Sequence, residues 1–402
     1  MKKLLYSIVL AFALVLFVTP DSNACTSAII SGKRTPDGRP LLWKHRDTGE
    51  LNNRVDYVKG PKYAFVAVVN ANEGDGKSWM GVNEAGFAII NTASSPMRKY
   101  AQDSTDREGD IMYEVLGTCK NMADFEKFLN NKKKQPRCVE TNYGVIDAEG
   151  NAAYFETNSF DYYKYDVNDP KIAPKGYIVY TNYSHNGTPN AGGGYIRYAN
   201  ADEKILGKYL DQNGITPDWL FNNLSRSFYQ PLLGVDLTKD ASLTPKGWFP
   251  DCDFIPRRST ASTAVIKGVK PGENPLLSVM WTILGYPPVS VAVPVYVAMG
   301  EDQPAFVKRN SASDPHCAIC DAALARRAKV FPLQRGSGKN YMYFNAVYNA
   351  DGNGYMQRLA PVDAKVFCTF GKAMEKYYQA GSIDKAEIAN LYKTVDFGLD
   401  IK

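Results

Sequence analysis

The chain has 402 residues and a formal net charge of +5, and 45% of its residues are hydrophobic and 12% aromatic. So many apolar side chains can form a substantial core, which excludes a disordered protein. The positive excess is small and spread along the chain, so it does not indicate nucleic-acid binding.

The first element in chain order is an apolar leader. Two lysines precede an apolar run over residues 4–18, and the small residues Ser22 and Ala24 precede Cys25. These are the features of a secretory signal peptide, and the run is too short for a confident membrane span. We therefore expect residues 1–24 to be removed and the mature protein to be exported, to the periplasm or outside the cell.

Cys25 would then be the first residue of the mature chain, and three interpretations of it are open. It could carry the lipid of a bacterial lipoprotein, in which case the protein is an exported binding module without catalysis. Ser22 argues against this, because such signals usually have an aliphatic residue there. It could also be half of a structural disulfide, or a catalytic residue that cleavage produces.

Alternating apolar residues and turn signals predict several strands after the leader. Strands at 25–32 and 41–47 flank the Pro-Asp-Gly turn within 34–40 and form a hairpin with Cys25 at its open end. Further strand regions are predicted at 62–71, 78–92, 143–157, 176–182, 260–266 and 289–300, where Pro294 marks an edge or bulge.

Helical spacing predicts the remaining elements. Residues 108–131 form two helices broken near Asn121, and the other helices are predicted at 195–210, 217–228, 318–329, 363–378 and 385–392. Strands and helices thus occur in blocks without a linker or repeat. This order predicts an α+β fold with mainly antiparallel sheets in one domain over residues 25–402.

The chain has seven cysteines, namely Cys25, Cys119, Cys138, Cys252, Cys317, Cys320 and Cys368. Setting Cys25 aside leaves six, which could form three disulfides in an oxidising compartment. Cys317 and Cys320 have C-x-x-C spacing, and structural disulfide, free thiols and a metal or redox function are all open for them.

An N-terminal cysteine combines a nucleophile with its own base. An α-amino group has a pKa of about 7.7–8.0, so it can accept the thiol proton near neutral pH. No separate histidine is required, and the chain has only three. A protein of this kind needs no metal and no organic cofactor.

Several polar residues at predicted strand ends could support such a nucleophile. Asp47 ends the strand opposite Cys25 and follows Lys44 and Arg46. Two asparagines, Asn91 and Asn182, end other strands, and Arg258 begins another. Polar side chains at strand ends can converge on a cleft, whereas in mid-strand they would face core or solvent.

Four segments occur in an order that resembles a known family. They are CTSAIISGKRTPDGRPLLWKHRD, GVNEAGFAIINT, YTNYS and PRRSTASTAV. Together they resemble the choloylglycine hydrolases, which include bile salt hydrolases and penicillin V acylases and belong to the N-terminal nucleophile hydrolases. The chain is also similar to the isopenicillin-N acyltransferase type of peptidase.

The resemblance implies a four-layer αββα sandwich and a set of site residues. Cys25 would be the nucleophile with its freed amine as base, and Asp47 would bind that amine. Asn182 and Asn91 would supply oxyanion or substrate hydrogen bonds. Arg258 would orient Cys25 and stabilise charge.

The sequence departs from the family in two places, at Lys44 and in the spacing from Gly86 to Asn91, which is shorter than in bile salt hydrolases. Lys44 stands where the family commonly has the arginine of an Arg-x-x-Asp motif, so either Lys44 or Arg46 would take that role. Lysine lacks the planar fork of hydrogen-bond donors that arginine has. Arg257 is a rival to Arg258.

We expect the protein to hydrolyse linear amide C–N bonds through a thioester on Cys25. Its substrate would be a small N-acyl amide, such as a bile-salt conjugate or a compound like penicillin V, and the acyl and amine groups are open. If an amine intercepts the acyl group, the same site is an acyltransferase. We expect no nucleic-acid partner and no stable membrane insertion, and a homo-oligomer is left open.

Overall fold

The computed structural model describes residues 24–94, 97–100, 106–131, 135–210, 214–239 and 246–401. The predicted signal peptide therefore lies outside the described residues, apart from Ala24. Among the described residues, no helix combines the length and apolar character needed to cross a membrane.

Six strands form the first large sheet, sheet A, which is antiparallel throughout. Its strands are β1 (Ala24–Ile30), β2 (Leu41–Asp47), β10 (Tyr177–Tyr180), β14 (Thr260–Lys267), β15 (Val279–Leu284) and β16 (Val293–Val295). Their order is β10-β1-β2-β14-β15-β16, so β1 lies between β10 and β2.

Seven strands form sheet B, in which each strand pairs antiparallel with the next along the chain. They are β3 (Asn53–Lys59), β4 (Ala64–Asn70), β5 (Met80–Asn83), β6 (Ala88–Ala93), β7 (Thr141–Ile146), β8 (Ala152–Thr157) and β9 (Tyr162–Asp166). Two short ladders join β11 (Tyr229–Gln230) to β12 (Val235–Asp236) and β13 (Trp248–Pro250) to β17 (Tyr341–Tyr343).

Helices cover the outer faces of both sheets. On sheet B, α1 (Glu108–Thr118) and α2 (Met122–Asn131) bury Met112 and Phe125 against Phe87 and Phe155. On sheet A lie α3 (Tyr195–Leu210), α4 (Pro217–Leu220, followed by a π-helical turn over Phe221–Ser225), α5 (Ala318–Val330), α6 (Tyr355–Ala380) and α7 (Lys385–Thr394).

The two sheets pack face to face, with β1, β2 and β14 of sheet A against β5 to β8 of sheet B. A hydrophobic core fills most of the space between them, because many inward-facing residues of both sheets are apolar and fully buried, such as Leu42 and Ile90. The layers are therefore helix, sheet, sheet and helix, and the predicted α+β class and αββα sandwich are confirmed.

Most predicted elements are present near their expected bounds, including the hairpin of β1 and β2 and the break between α1 and α2. The predicted strand over 289–300 is wrong in length, because only Val293–Val295 pairs, between two 3₁₀ turns. Its Pro294 does lie on an edge strand. The expected helix over 217–228 ends at Ser225, and α6 begins at Tyr355, before the predicted start.

Candidate active site

Cys25 lies in β1, with 5% of its surface exposed. It pairs with Arg46 across the β1–β2 ladder, and Ala24 pairs with Asp47 at the end of the same ladder. The Cys25 N–H donates to Asn182 Oδ1 at 3.0 Å. The β1–β2 ladder places Asp47 beside the residue before Cys25, and Asn182, which follows β10 on the other side of β1, binds the Cys25 nitrogen.

Two buried cations lie on the thiol side of β2. Side chains alternate along a strand, so Lys44 and Arg46 share the face that Cys25 presents to sheet B. The Lys44 Nζ donates to the Trp79 carbonyl at 2.8 Å and to Asn91 Oδ1 at 2.5 Å. Asn91 therefore reaches the site as the partner of Lys44, and its Nδ2 donates to Thr141 Oγ1 at 3.4 Å.

Burial and the Cys25 thiol shift the pKa values of these two cations in opposite directions. Burial lowers the pKa of Lys44 to about 8, while attraction to the Cys25 thiolate raises it. The pKa of Arg46 falls to about 10 for the same main reason. Both groups therefore stabilise negative charge on the thiol, and Lys44 loses this ability in mildly alkaline solution.

Arg46 is held by sheet B. Its Nη1 donates to Asn70 Oδ1 at 2.7 Å and to Asn53 Oδ1 at 3.1 Å, and its guanidinium lies 4.4 Å from the Trp79 ring centroid. Lys44 and Arg46 thus both lie on the thiol face. Each of the two residues that could take the role of the family arginine is therefore present there.

Asp47 and His45 lie on the opposite, helix-covered face of β2. Asp47 Oδ1 accepts from Thr260 Oγ1 at 2.6 Å, and Oδ2 accepts from Nε and Nη2 of Arg257, each at 2.8 Å. His45 Nε2 lies 3.1 Å from Thr260 Oγ1. Burial lowers the pKa of His45 to about 4, so this histidine is neutral near neutral pH.

Arg258 is not part of this cluster, in contrast to its expected position. Its Nη1 donates to the carbonyls of Leu333 and Lys339, and its Nη2 to Gln334 Oε1. The two adjacent arginines point in different directions, and it is Arg257 that reaches Asp47. The sequence left Arg257 as the alternative to Arg258, but the spacing of residues in a loop does not show in which direction each side chain points.

A third arginine, Arg197 of α3, joins the cluster. Its guanidinium donates to the Cys25 carbonyl at 2.7 Å, to Thr26 Oγ1 at 2.6 Å and to Asn182 Oδ1 at 2.8 Å. Sequence reasoning missed it, because an arginine in the first turn of an amphipathic helix is usually a solvated surface residue.

Glu108, the first residue of α1, is a second group that sequence reasoning missed. It is buried near Lys44, and its pKa is raised well above its usual value by burial and by a hydrogen bond to Asp106. The Lys44 charge opposes this rise. Burial therefore favours the neutral form of this carboxyl group, while its charged form attracts the Lys44 ammonium group.

The structure describes all three histidines, and their side chains make their contacts away from the thiol face. His45 lies on the opposite face of β2, His185 packs against Tyr180 with ring centroids 5.2 Å apart, and His316 Nε2 lies 3.3 Å from Asn72 Oδ1. Among the described residues, no group of three or more His, Cys, Asp or Glu is arranged to hold a metal ion.

All seven cysteines are free thiols in the structure. Cys317 Sγ donates to the Asn53 carbonyl at 3.3 Å, and the Asn53 N–H lies 3.5 Å from Cys320 Sγ. The C-x-x-C pair therefore brackets the backbone of Asn53, whose side chain accepts from Arg46.

The sequence of the chain matches the model of one known family. The sequence model of the acyl-coenzyme A:6-aminopenicillanic acid acyl-transferase family matches residues 35–213, a span that includes Asp47, Asn182 and Arg197 and begins after Cys25. The match covers less than half of the chain, so over these residues the chain is similar in sequence to that acyl-transferase family.

Three solved structures are also similar to parts of the chain. A Caenorhabditis elegans N-acylethanolamine-hydrolyzing acid amidase ortholog is 13% identical, with a TM-score of 0.41, over 60% of this chain and 92% of that one. A conjugated bile acid hydrolase from Clostridium perfringens is 11% identical, with a TM-score of 0.39, over 68% and 92%. Penicillin V acylase from Agrobacterium tumefaciens is 15% identical, with a TM-score of 0.34, over 68% and 85%.

None of these three structures reaches a TM-score of 0.5, so the fold assignment rests on the chain's own sheets and helices. No curated protein matches the sequence of the chain.

Proposed function

We propose that this protein hydrolyses linear amide C–N bonds of small N-acyl substrates, with Cys25 as the nucleophile after removal of residues 1–24. The observation that carries the proposal is the position of the Cys25 nitrogen. It lies at the end of β1, hydrogen-bonded to Asn182 Oδ1, and the residue before it pairs with Asp47. Cleavage before Cys25 would turn this nitrogen into an amine close to its own thiol.

In the proposed reaction, the Cys25 amine accepts the thiol proton and sulfur attacks the amide carbonyl carbon. Collapse of the tetrahedral intermediate breaks the C–N bond, and the amine returns the proton to the leaving nitrogen. Water then attacks the thioester, giving up a proton to the amine, and its hydroxyl group becomes part of the released carboxylic acid while sulfur regains a proton.

Charge on the thiol face supports these steps. Lys44 and Arg46 are both buried on this face, and a cation in a low-dielectric site stabilises a thiolate and an oxyanion strongly. In this proposal Lys44 meets the oxyanion charge, because the Asn182 Nδ2 already donates to the Ala93 carbonyl at 2.9 Å. Asn91 holds Lys44 in place.

Asp47 and Arg257 have a supporting role in the proposal. The Asp47 carboxylate is buried and bound by Arg257 through two nitrogen atoms. Such a pair has a fixed geometry, so the Asp47 carboxylate is held in place near the end of β1. Its charge would hold the Cys25 amine in position after cleavage.

The test compares Cys25→Ser with the unchanged chain, each prepared to begin at residue 25. The substrate panel contains glycine- and taurine-conjugated bile acids, penicillin V and N-acyl amino acids, and products are measured by mass spectrometry. Cys368→Ser is the matched control, because Cys368 is an exposed thiol. We expect turnover by the unchanged chain and the control and none by Cys25→Ser.

Two results would overturn the proposal. One is full turnover by Cys25→Ser. The other is an intact mass of the exported protein that shows a lipid on Cys25, which would establish the alternative of a lipoprotein binding module.

Acyl transfer at the same site is a second candidate function, favoured by the description of the matching family. Adding hydroxylamine or an amino acid as acceptor distinguishes the two. An acyltransferase has a site for its acceptor, so acylated product exceeds free acid and saturates as acceptor is added, whereas in a hydrolase acylated product rises only in proportion to the acceptor concentration.

A further inference from the structure

Arg197 connects three groups at the proposed nucleophile. It is 2% exposed, and its guanidinium binds the Cys25 carbonyl, the Thr26 hydroxyl and the Asn182 side chain at once. Burying an arginine is costly unless its donors are satisfied. Here the satisfying acceptors are the nucleophile's own backbone and the residue that holds its nitrogen.

This contact determines how the Asn182 amide is oriented. The oxygen and nitrogen of an asparagine amide are usually hard to tell apart, but a guanidinium can only donate hydrogen bonds. The atom facing Arg197 must therefore be the Asn182 oxygen. The same oxygen accepts from the Cys25 nitrogen, and the Asn182 Nδ2 faces the Ala93 carbonyl.

Gly194 leaves space for the Arg197 guanidinium because it has no side chain. A Cβ on Gly194 would lie 2.5 Å from Arg197 Nη2 and 2.8 Å from the Thr181 Cβ, and Gly194 has a φ of +85°. The adjacent Gly193 exchanges two backbone hydrogen bonds with Asn182, at 3.1 and 3.2 Å. The run of three glycines before α3 thus holds the Asn182 backbone and admits the Arg197 side chain.

We propose that Arg197 is a positioning residue for Cys25: it fixes the Asn182 oxygen toward the Cys25 nitrogen and places a positive charge beside it. The proposal rests on the proposed function, in which that nitrogen becomes the amine that takes the thiol proton. An amine that donates a hydrogen bond to Asn182 has its lone pair directed elsewhere, and the thiol is on the same residue.

The charge of Arg197 has a separate effect from its geometry. A nearby cation disfavours protonation of an amine, and a nearby carboxylate favours it. The charged groups around this position are Lys44, Arg46 and Asp47 of β2, Arg197 of α3, and Asp253 and Arg257 of the loop before β14. Removing Arg197 leaves Asp47 in place, so the amine would keep its proton to a higher pH.

Two substitutions separate charge from geometry. We expect Arg197→Met to lower kcat about 100-fold and to move the acidic limb of kcat/KM to higher pH, because both the positioning and the cation are lost. We expect Arg197→Lys to lower kcat while leaving the acidic limb near its original pH, since lysine keeps the charge without the fork. Arg326→Met, which removes a buried arginine elsewhere, is the control for a general loss of stability.

A glycine pair gives an independent test that leaves the arginine in place. Gly194→Ala adds a methyl group against Arg197 and should reproduce the loss of kcat. Gly207→Ala, within α3, adds one where nothing lies within 4 Å, and should retain activity. Melting temperatures of all variants show which changes in kcat come with a folded protein.

A readout without substrate distinguishes failure of this inference from failure of the proposed function. A chain that begins at Cys25 condenses with 2-cyanobenzothiazole through its free thiol and amine, and the rate is measured against pH. A higher apparent amine pKa in Arg197→Met supports the inference even if no panel substrate is turned over. Identical pH profiles in the unchanged chain and Arg197→Met, with both folded, overturn it.

Discussion

Asp47 binds Arg257 through two nitrogen atoms, each 2.8 Å from Asp47 Oδ2, while the adjacent Arg258 points to the carbonyls of Leu333 and Lys339. Two neighbouring arginines that are equivalent in sequence therefore have different surroundings. Of the two, it is Arg257 that binds Asp47 in the candidate site.

This difference gives the first prediction. Arg257→Met leaves the buried Asp47 carboxylate without its partner, so we expect a loss of about 3 kcal/mol in the free energy of unfolding and a large loss of activity. Arg258→Met should change stability by less than about 0.5 kcal/mol. Urea unfolding and turnover of both variants check this. Equal effects of the two substitutions would contradict the assignment.

The second prediction concerns alkaline pH. The pKa of Lys44 is about 8, because burial disfavours its charged form, so the ammonium loses its proton above that pH. We expect kcat/KM to fall above about pH 8. Arg46 keeps its charge longer, since its pKa is about 10.

Lys44→Arg tests this assignment, because a guanidinium holds its proton more firmly than an ammonium group. The alkaline limb of kcat/KM should move to higher pH by at least about one unit in this variant. Lys44→Met should show a lower activity at every pH and no limb near pH 8. An alkaline limb that stays in place in both variants would mean that another group titrates there.

His45 gives a prediction for acidic pH. Its pKa is lowered from 6.5 to about 4 by burial, so between these values the unfolded chain binds a proton that the folded chain does not. Stability must therefore decrease as the pH falls through this window, by up to about 3 kcal/mol.

His45→Gln removes this titration while keeping a polar side chain. Urea unfolding at several pH values between 7 and 4 should show a smaller loss of stability in the variant than in the unchanged protein. Other groups, including Glu108, titrate in both proteins, so the difference between the two curves isolates His45. Parallel curves would show that His45 does not contribute.

The fourth prediction concerns Cys317 and Cys320. Both thiols contact the backbone of Asn53 and are fully buried, so we expect glutathione disulfide to cross-link them only when urea exposes the pair. The two thiols lose two electrons and two protons, and one glutathione disulfide becomes two glutathione molecules. Alkylation after denaturation, followed by mass spectrometry, detects the bond. Full alkylation of both cysteines after treatment in urea, or a bond formed without urea, would contradict this expectation.

The β1–β2 hairpin and α3 were predictable because their signals are local. A Pro-Asp-Gly turn between two apolar segments specifies a hairpin, and apolar residues at helical spacing specify α3. In contrast, β3 reads NRVDYVK, whose charges suit an exposed edge and hide the strand, and Pro361 hides the first turns of α6. Such elements form because of the tertiary contacts around them.

The residues of the candidate site also fall into two groups, those that local sequence signals predict and those whose position depends on tertiary packing. Cys25, Asp47, Asn91 and Asn182 were predicted because polar residues at strand ends can converge on a cleft, and Lys44 because of its place in the motif that ends at Asp47. Arg197 and the choice between Arg257 and Arg258 depend on the direction of long side chains, which spacing does not specify. Burial of a charged residue is visible only once helix and sheet are packed together.

In the proposed removal of residues 1–24, the burial of Ala24 limits when the chain can be cut. Ala24 is 5% exposed and paired with Asp47, so the peptide bond to Cys25 lies within the sheet. An external peptidase can cut there only while β1 is still unpaired. Delayed processing would therefore trap the chain as a folded precursor, and the rate of β1 docking sets the time available for activation.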